Sequence, residues 1–346
     1  MKTLRWLHKW LGLLLGLFVS IIGLTGSWLI YDREVASPEY ELAINQAPLS
    51  LQSLFIKASP LLPVNKDVQI LFPKLPTLPY QFKTTEKQVV INQYTGEIIV
   101  IRSRNYWPFG WLLHLHSELL LGKAGKQITG WIGVGLILIT IIGIYLWQPK
   151  KWKSGFKLRS SKSQLVWYYD LHRLVGILSA PLLIVALVTG VSLSFSQATS
   201  VFVNGLFNRT ADKPPLVIND ARNQRASLDT MILHAKLALK NGHVHSMLIP
   251  ILPIKPIVVR MKMMKDPHPN GLNLVYLHPQ SGEILEVKKL NQSEPAKRWF
   301  NWAFPIHTGQ VLTGHLWLLF AIGLMPSLLM LTGVYIFLLR RFKAYK

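Results

Sequence analysis

The sequence predicts an integral membrane protein: an α-helical four-helix transmembrane bundle in two repeated halves, with two small α+β modules outside the membrane. Three observations predict it. Long uncharged apolar runs interrupt the chain four times, basic residues cluster in the short segments beside them, and the pattern of the first half returns in the second.

The apolar runs come first. Half of the 346 residues are hydrophobic and only 16% are charged, too apolar a balance for one ordinary soluble core. A hydrocarbon layer about 30 Å thick needs roughly 20 apolar residues at about 1.5 Å each. The runs 11–31, 128–147, 175–195 and 316–339 meet that length without a charged residue. Lys2, Arg5 and Lys9 before the first run give it the flank of a signal peptide, but it is too long for a typical signal core and its copy near Val175 lies mid-chain. Trp6, Trp10, Trp147 and Trp317 sit where an aromatic belt meets the lipid headgroups.

The formal charge of +22 sorts along these spans. Lys2, Arg5 and Lys9 precede the first; Lys150, Lys151, Lys153, Lys157, Arg159 and Lys162 fill the middle connection; Arg340, Arg341, Lys343 and Lys346 follow the last. The positive-inside rule places these segments and both termini in the cytoplasm of a bacterial inner membrane, and the two long connections in the periplasm. This distribution explains the basic balance without nucleic acid. The second long connection stays basic through Arg222, Arg225, Lys236, Lys240, Lys255, Arg260, Lys262 and Lys265, an excess suited to an anionic substrate or to lipid headgroups. The chain has no cysteine, which excludes disulfides, thiolate-held iron–sulfur clusters, thiol catalysis and covalent haem. A redox cofactor would have to be held by histidine or methionine.

The repeat is detailed. His8-Lys9-Trp10-Leu11-Gly12 leads to Thr25-Gly26, and His172-Arg173-Leu174-Val175-Gly176 leads to Thr189-Gly190 at the same interval. Each long connection opens with a helical pattern, 50–59 and 227–240, and closes in a hairpin signal, 89–99 and 274–285, built on Thr95-Gly96-Glu97-Ile98 and Ser281-Gly282-Glu283-Ile284. After each module comes a histidine, His116 or His307, then a span ending in Gly143-Ile144-Tyr145 or Gly333-Val334-Tyr335. With two spans per half, the copies are expected to be parallel about an axis along the membrane normal.

These segments resemble the PepSY-associated transmembrane family along nearly the whole chain. His8-Lys9-Trp10-Leu11-Gly12 is similar to its opening motif, and Leu113-His114-Leu115-His116-Ser117 with Leu121-Gly122-Lys123-Ala124-Gly125 to its second. Leu171-His172-Arg173 and Ile306-His307-Thr308-Gly309 match the later motifs, and the Gly-Glu-Ile hairpins look like PepSY modules. The resemblance divides the chain into a first helix (1–31), a periplasmic PepSY-like module (32–110), an interfacial segment with the second helix (111–149), a basic cytoplasmic loop (150–170), a third helix (171–196), a second module (197–300) and an interfacial segment with the fourth helix and basic tail (301–346). It also implies an activity, since some members are inner-membrane ferric-siderophore reductases with b-type haem while others are known only as iron-regulated membrane proteins.

An up-down bundle puts His8 and His172 at its cytoplasmic end and His116 and His307 near its periplasmic end. Two bis-histidine sites for haem b follow, forming a path for single electrons across the bilayer. Gly12 and Gly176, one turn after their histidines on the same face, would let a porphyrin approach the helix. Gly26 and Gly190, roughly 27 Å deeper on that face, would make room for a second macrocycle. His114, two residues from His116, and His315, about two turns beyond His307, are the alternative ligands. His243-x-His245 in a strand would put two imidazoles on one face as a metal pair, against the plainer reading of surface histidines shared with His234, His268 and His278. No nucleotide, nicotinamide or flavin motif is present, so electrons would come from a partner, membrane quinol or a cytoplasmic flavoprotein. The expected acceptor is a ferric siderophore or other ferric chelate. The competing expectations are a non-catalytic membrane scaffold whose modules restrain a periplasmic protein, and an accessory of iron or siderophore uptake.

Overall fold

The computed structural model describes residues 1–35, 40–148, 152–159, 163–217, 226–311 and 314–343. Lys150, Lys151, Lys162, Arg222, Arg225 and Lys346, counted above among the basic residues, lie outside them. The chain runs through α1 (Lys2–Val35), α2 (Leu51–Ala58), β1 (Val68–Leu71), β2 (Tyr80–Lys83), β3 (Lys87–Ile91), β4 (Ile98–Ser103), α3 (Phe109–Glu118) and α4 (Gly122–Leu146). After the short α5 (Trp152–Gly155) come α6 (Gln164–Ser194), α7 (Ser196–Leu206), α8 (Leu228–Ala238), β5 (His243–Ile249), β6 (Ile257–Lys262), β7 (Asn273–Leu277), β8 (Ile284–Lys288), α9 (Pro295–His307) and α10 (His315–Lys343). Two compact units result. One holds residues 1–35, 107–196 and 306–346, the other 36–106 and 197–305.

The first unit is helical, and α1, α4, α6 and α10 are each long and apolar enough to cross a membrane. Leu14, Leu17, Trp131, Leu178 and Leu331 point outward and exposed, as lipid contact requires. Inside, small residues bring the backbones together. A side chain at Gly23 of α1 would run into the carbonyl of Gly323 on α10, and Ser27 Oγ donates to the Phe320 carbonyl at 2.8 Å beside that crossing. Gly133 of α4 packs against Val191 of α6 in the same manner. Two helices exceed the expected limits. α1 continues to Val35, and α6 starts at Gln164, so His172 lies two turns inside a helix instead of at its first turn.

In the second unit the two expected helix-and-strand sets, α2 with β1–β4 and α8 with β5–β8, share one sheet. Its strands form one antiparallel sheet in the order β4-β3-β2-β1-β5-β6-β7-β8. The seam is the antiparallel pair β1–β5, with Ile70 opposite Met247 and Leu71 opposite Ser246. Each set of four strands would otherwise present an open edge, and pairing the two edges satisfies both. One apolar core spans the seam, with Ile70, Phe82 and Val89 from the first set, Met247, Val259 and Val275 from the second, and Leu54 of α2 and Met231 of α8 fully buried. Helices α2 and α8 cover that face and cap each other. Asp229 accepts from the Leu51 and Gln52 amides at 2.7 and 3.0 Å, while Gln52 Oε1 accepts from the Leu228 amide at 3.1 Å. These bonds satisfy donors that a helix N-terminus leaves open. The two predicted hairpins are present, turning at Gly96 and Gly282 with φ of +69° and +70°. In the first turn the Asn92 side chain accepts from the Tyr94 and Thr95 amides; in the second His278 Nδ1 does the same for Gln280 and Ser281.

Candidate cofactor site

Four histidines meet in two pairs inside the helical unit. The rings of His8 (α1) and His172 (α6) have centroids 6.2 Å apart at an interplanar angle of 89°. At the other end, His116 (α3) and His307 (α9) stand 6.1 Å apart at 43°. A metal–imidazole bond is about 2.0–2.1 Å and the nitrogen lies about 1.1 Å from its ring centroid, so two imidazoles on opposite sides of one metal put their centroids about 6.2–6.4 Å apart. His8 and His172 stand at the lower bound of that range, and His116 and His307 just below it.

Each ring is held through Nδ1 by a neighbouring helix. His8 Nδ1 donates to the Ile139 carbonyl at 3.1 Å, and His172 Nδ1 to Thr332 Oγ1 at 2.9 Å beside the Leu329 carbonyl. His116 Nδ1 donates to the Ile22 carbonyl at 2.8 Å with Thr25 Oγ1 at 3.4 Å; His307 Nδ1 donates to the Ala186 carbonyl at 3.0 Å with Thr189 Oγ1 at 3.1 Å. A carbonyl only accepts, so Nδ1 carries the proton and Nε2 keeps its lone pair, the tautomer that a metal ligand needs. Thr25, Thr189 and Thr332 went unnoticed as supports in the sequence. The repeated Thr-Gly carries the signal for Thr25 and Thr189, and Thr332-Gly333 repeats it.

The glycines divide into two roles. Gly12 has nothing within 4 Å of where a Cβ would sit, and at Gly176 only Leu329 comes near, at 3.7 Å. Both line a cavity of about 1040 Å³ together with His8, His172, Gly16 and Val19. That volume matches the upper end of cofactor clefts, about 300–1,000 Å³. Its rim carries Lys2, Arg5, Lys9, Arg173, Arg340 and Arg341. Gly26 and Gly190 differ from expectation, because the imidazoles themselves fill the space in front of them. A Cβ there would lie 2.8 Å from His116 Cε1 or 2.9 Å from His307 Cε1. The helical spacing placed these glycines on the correct face but could not say which group they face.

The alternative ligands separate on the same geometry. His114 is turned away from the pair to Glu118, with Nδ1 2.6 Å from Oε1. His315 opens α10 outside both ring pairs, and the ring facing His116 is that of His307. A support the sequence did not suggest is Asp170, fully buried one half-turn before His172. Both carboxylate oxygens accept from the Arg159 guanidinium, at 2.7 and 2.9 Å, and Arg173 lies 3.3 Å away. A buried carboxylate must be paired in this way, and the pairing fixes the helix turn that carries His172.

The remaining histidines belong to the sheet unit. His234 donates to the Gly282 carbonyl at 2.7 Å, and His268 stacks on Phe304 at 4.7 Å and 19°. His243 stands opposite Lys262, and a bulge between Val244 and Ser246 leaves His245 outside the ladder pairing. Among the described residues no group of three or more His, Asp or Glu side chains gathers to hold a metal ion. Paired imidazoles without a third protein ligand fit a metal whose other positions a planar macrocycle fills, and haem b needs no cysteine.

An uncharacterized protein of Pseudomonas aeruginosa is 32% identical over 79 residues, 23% of this chain. The match spans only 20% of that relative's length. The PepSY-associated TM region model matches residues 5–340, and the chain belongs to that family of membrane proteins.

Proposed function

We propose that the protein is a haem-b reductase of a bacterial inner membrane, built from two repeated halves, that passes single electrons outward to a periplasmic ferric siderophore or similar chelate and releases Fe(II). The observation that carries this reading is the two imidazole pairs near ligand spacing, each ring fixed through Nδ1, one pair carried by α1 and α6 and the other packed against Gly26 and Gly190 further along the same two helices. Along α1, His8 and the Gly26 that seats His116 are roughly 27 Å apart, close to the hydrocarbon thickness.

In this reading, which the basic segments support, the His8–His172 end faces the cytoplasm, where quinol or a flavoprotein would deliver electrons, and the sheet unit faces the periplasm. A haem b at each pair supplies reversible one-electron chemistry. The chain's own groups do the rest. Ile139, Thr332, Ile22 and Ala186 orient the imidazoles, Gly12 and Gly176 leave flat space beside the first pair, and the arginines and lysines of the rim accept anionic carboxylates. Fe(III) is held by hard oxygen donors far more tightly than Fe(II), so one electron loosens the chelate.

The test is purified protein reduced with dithionite, freed of excess reductant and mixed anaerobically with a ferric chelate under a ferrous-specific indicator. Reoxidation of the haem spectrum with matching formation of Fe(II) is expected. A haem spectrum that stays reduced while Fe(II) fails to appear, across chelates of either charge, contradicts the activity.

A further inference from the structure

The sheet unit has two unlike faces. One packs on α2 and α8; strand register assigns the other. Lys83 follows the core residue Phe82 and pairs with Gln69, so it points away from the helices. Arg260 and Lys262 alternate with the core residues Val259 and Met261, and Arg260 stands opposite Ser246. The bulge that breaks β5 turns His245 toward the same side, where Arg260, Lys74, Lys262 and Lys83 all act on it. Burial followed by these four cations pushes His245 down to about 4, and burial with Arg260, His245 and Lys262 does the same to His268. Burial with Arg102 lowers Lys83 as well. The carboxylates of this face gather at its β8 side, where Lys288 lies 3.8 Å from Asp212 and 3.6 Å from Glu286.

Half-buried like charges gathered on one face of a sheet, here from β2 and β6, repel one another, and the repulsion is offset when an anion sits among them. Guanidinium and ammonium groups around neutral imidazoles bind several oxygen anions at once. We propose that this face, centred on Arg260, Lys262, Lys83 and His245, binds a polyanionic iron chelate through its carboxylate or catecholate oxygens. The charge of the ligand is read from these residues; its identity as an iron complex rests on the reductase reading. The stack of His268 on Phe304 borders the cluster, and α9 carries both Phe304 and His307.

The experiment measures equilibrium binding to the full-length protein in zwitterionic nanodiscs, using gallium(III) citrate as an anionic probe and gallium(III) desferrioxamine B as a cationic one. Gallium(III) accepts no electron under these conditions, so binding is read whether or not haem is present or reduction occurs. The anionic complex is expected to bind and the cationic one not. Arg260→Gln with Lys262→Gln should weaken the anionic complex by about tenfold or more, and the equal charge change Lys236→Gln on α8 with Lys240→Gln in the turn after it should leave it unchanged. If the first double variant does not fold, Lys74→Gln at its exposed position is expected to weaken binding severalfold. Unchanged binding in the variants of this face, an equal loss in the α8 control, or preference for the cationic complex overturns the proposal. So does equally tight binding of glycerol 1-phosphate, which would assign the face to lipid headgroups.

Discussion

The two ends of the helical unit solve the same problem with different surroundings. His8 and His172 border a large cavity with flat glycine walls and a basic rim, and their rings stand perpendicular. His116 and His307 press against Gly26 and Gly190, with threonine hydroxyls beside their Nδ1 atoms, and their rings are at 43°. What the ends share is a ring spacing, an Nδ1 anchor and a glycine facing each ring, Gly143 and Gly333 at one end and Gly26 and Gly190 at the other; what differs is the cavity that Gly12 and Gly176 leave beside the first pair. Glycine in a transmembrane helix is therefore informative only once its neighbour is known.

The largest effects come from the rings. His172→Ala and His116→Ala should each remove about half of the haem, leaving the other end intact, as pyridine haemochrome content per chain would record. Total loss in both variants would merge the ends into one site. Glycine variants sharpen the contrast at smaller cost. Gly26→Ala should displace the His116 ring by a few tenths of an ångström and perturb only that end, while Gly12→Ala meets no protein atom and should change only what occupies the cavity. Spectra of each in the corresponding His→Ala background separate the two. Smaller again, Thr189→Val leaves the Ala186 carbonyl in place and should cost about 1 kcal/mol or less, read as a modest shift in the midpoint of that end alone.

The least effect on either end is expected from acid. His245 and His268 titrate near 4 in the folded sheet unit against 6.5 unperturbed, so the unfolded chain binds more protons between these values. Stability of the sheet unit should be full above about pH 6.5 and fall toward pH 4, and His245→Gln should flatten that slope in thermal melts. Haem absorbance followed over the same range tests whether the two units respond separately.

How much the sequence disclosed varies by element. The four helices followed from uncharged runs, because length and apolarity alone decide what crosses a bilayer. The histidine partners were legible from the repeat, which fixed their ends of the bundle, yet choosing His307 over His315 and His116 over His114 needed ring positions and the Glu118 contact. The hairpins at Gly96 and Gly282 were visible as turn chemistry. The β1–β5 seam was not, because edge pairing between distant strands leaves no local pattern, and neither was the bulge at His245. Asp170 was hidden for a related reason, since its burial depends on Arg159 folding back onto it.

The central claim is that each end holds a haem between its two histidines. Protein purified after haem-sufficient expression should contain two b-type haems per chain, with a reduced-minus-oxidised spectrum of low-spin, six-coordinate iron. A preparation that is folded and monodisperse yet shows no Soret band, or keeps its full haem content in His8→Ala and His307→Ala, would contradict it.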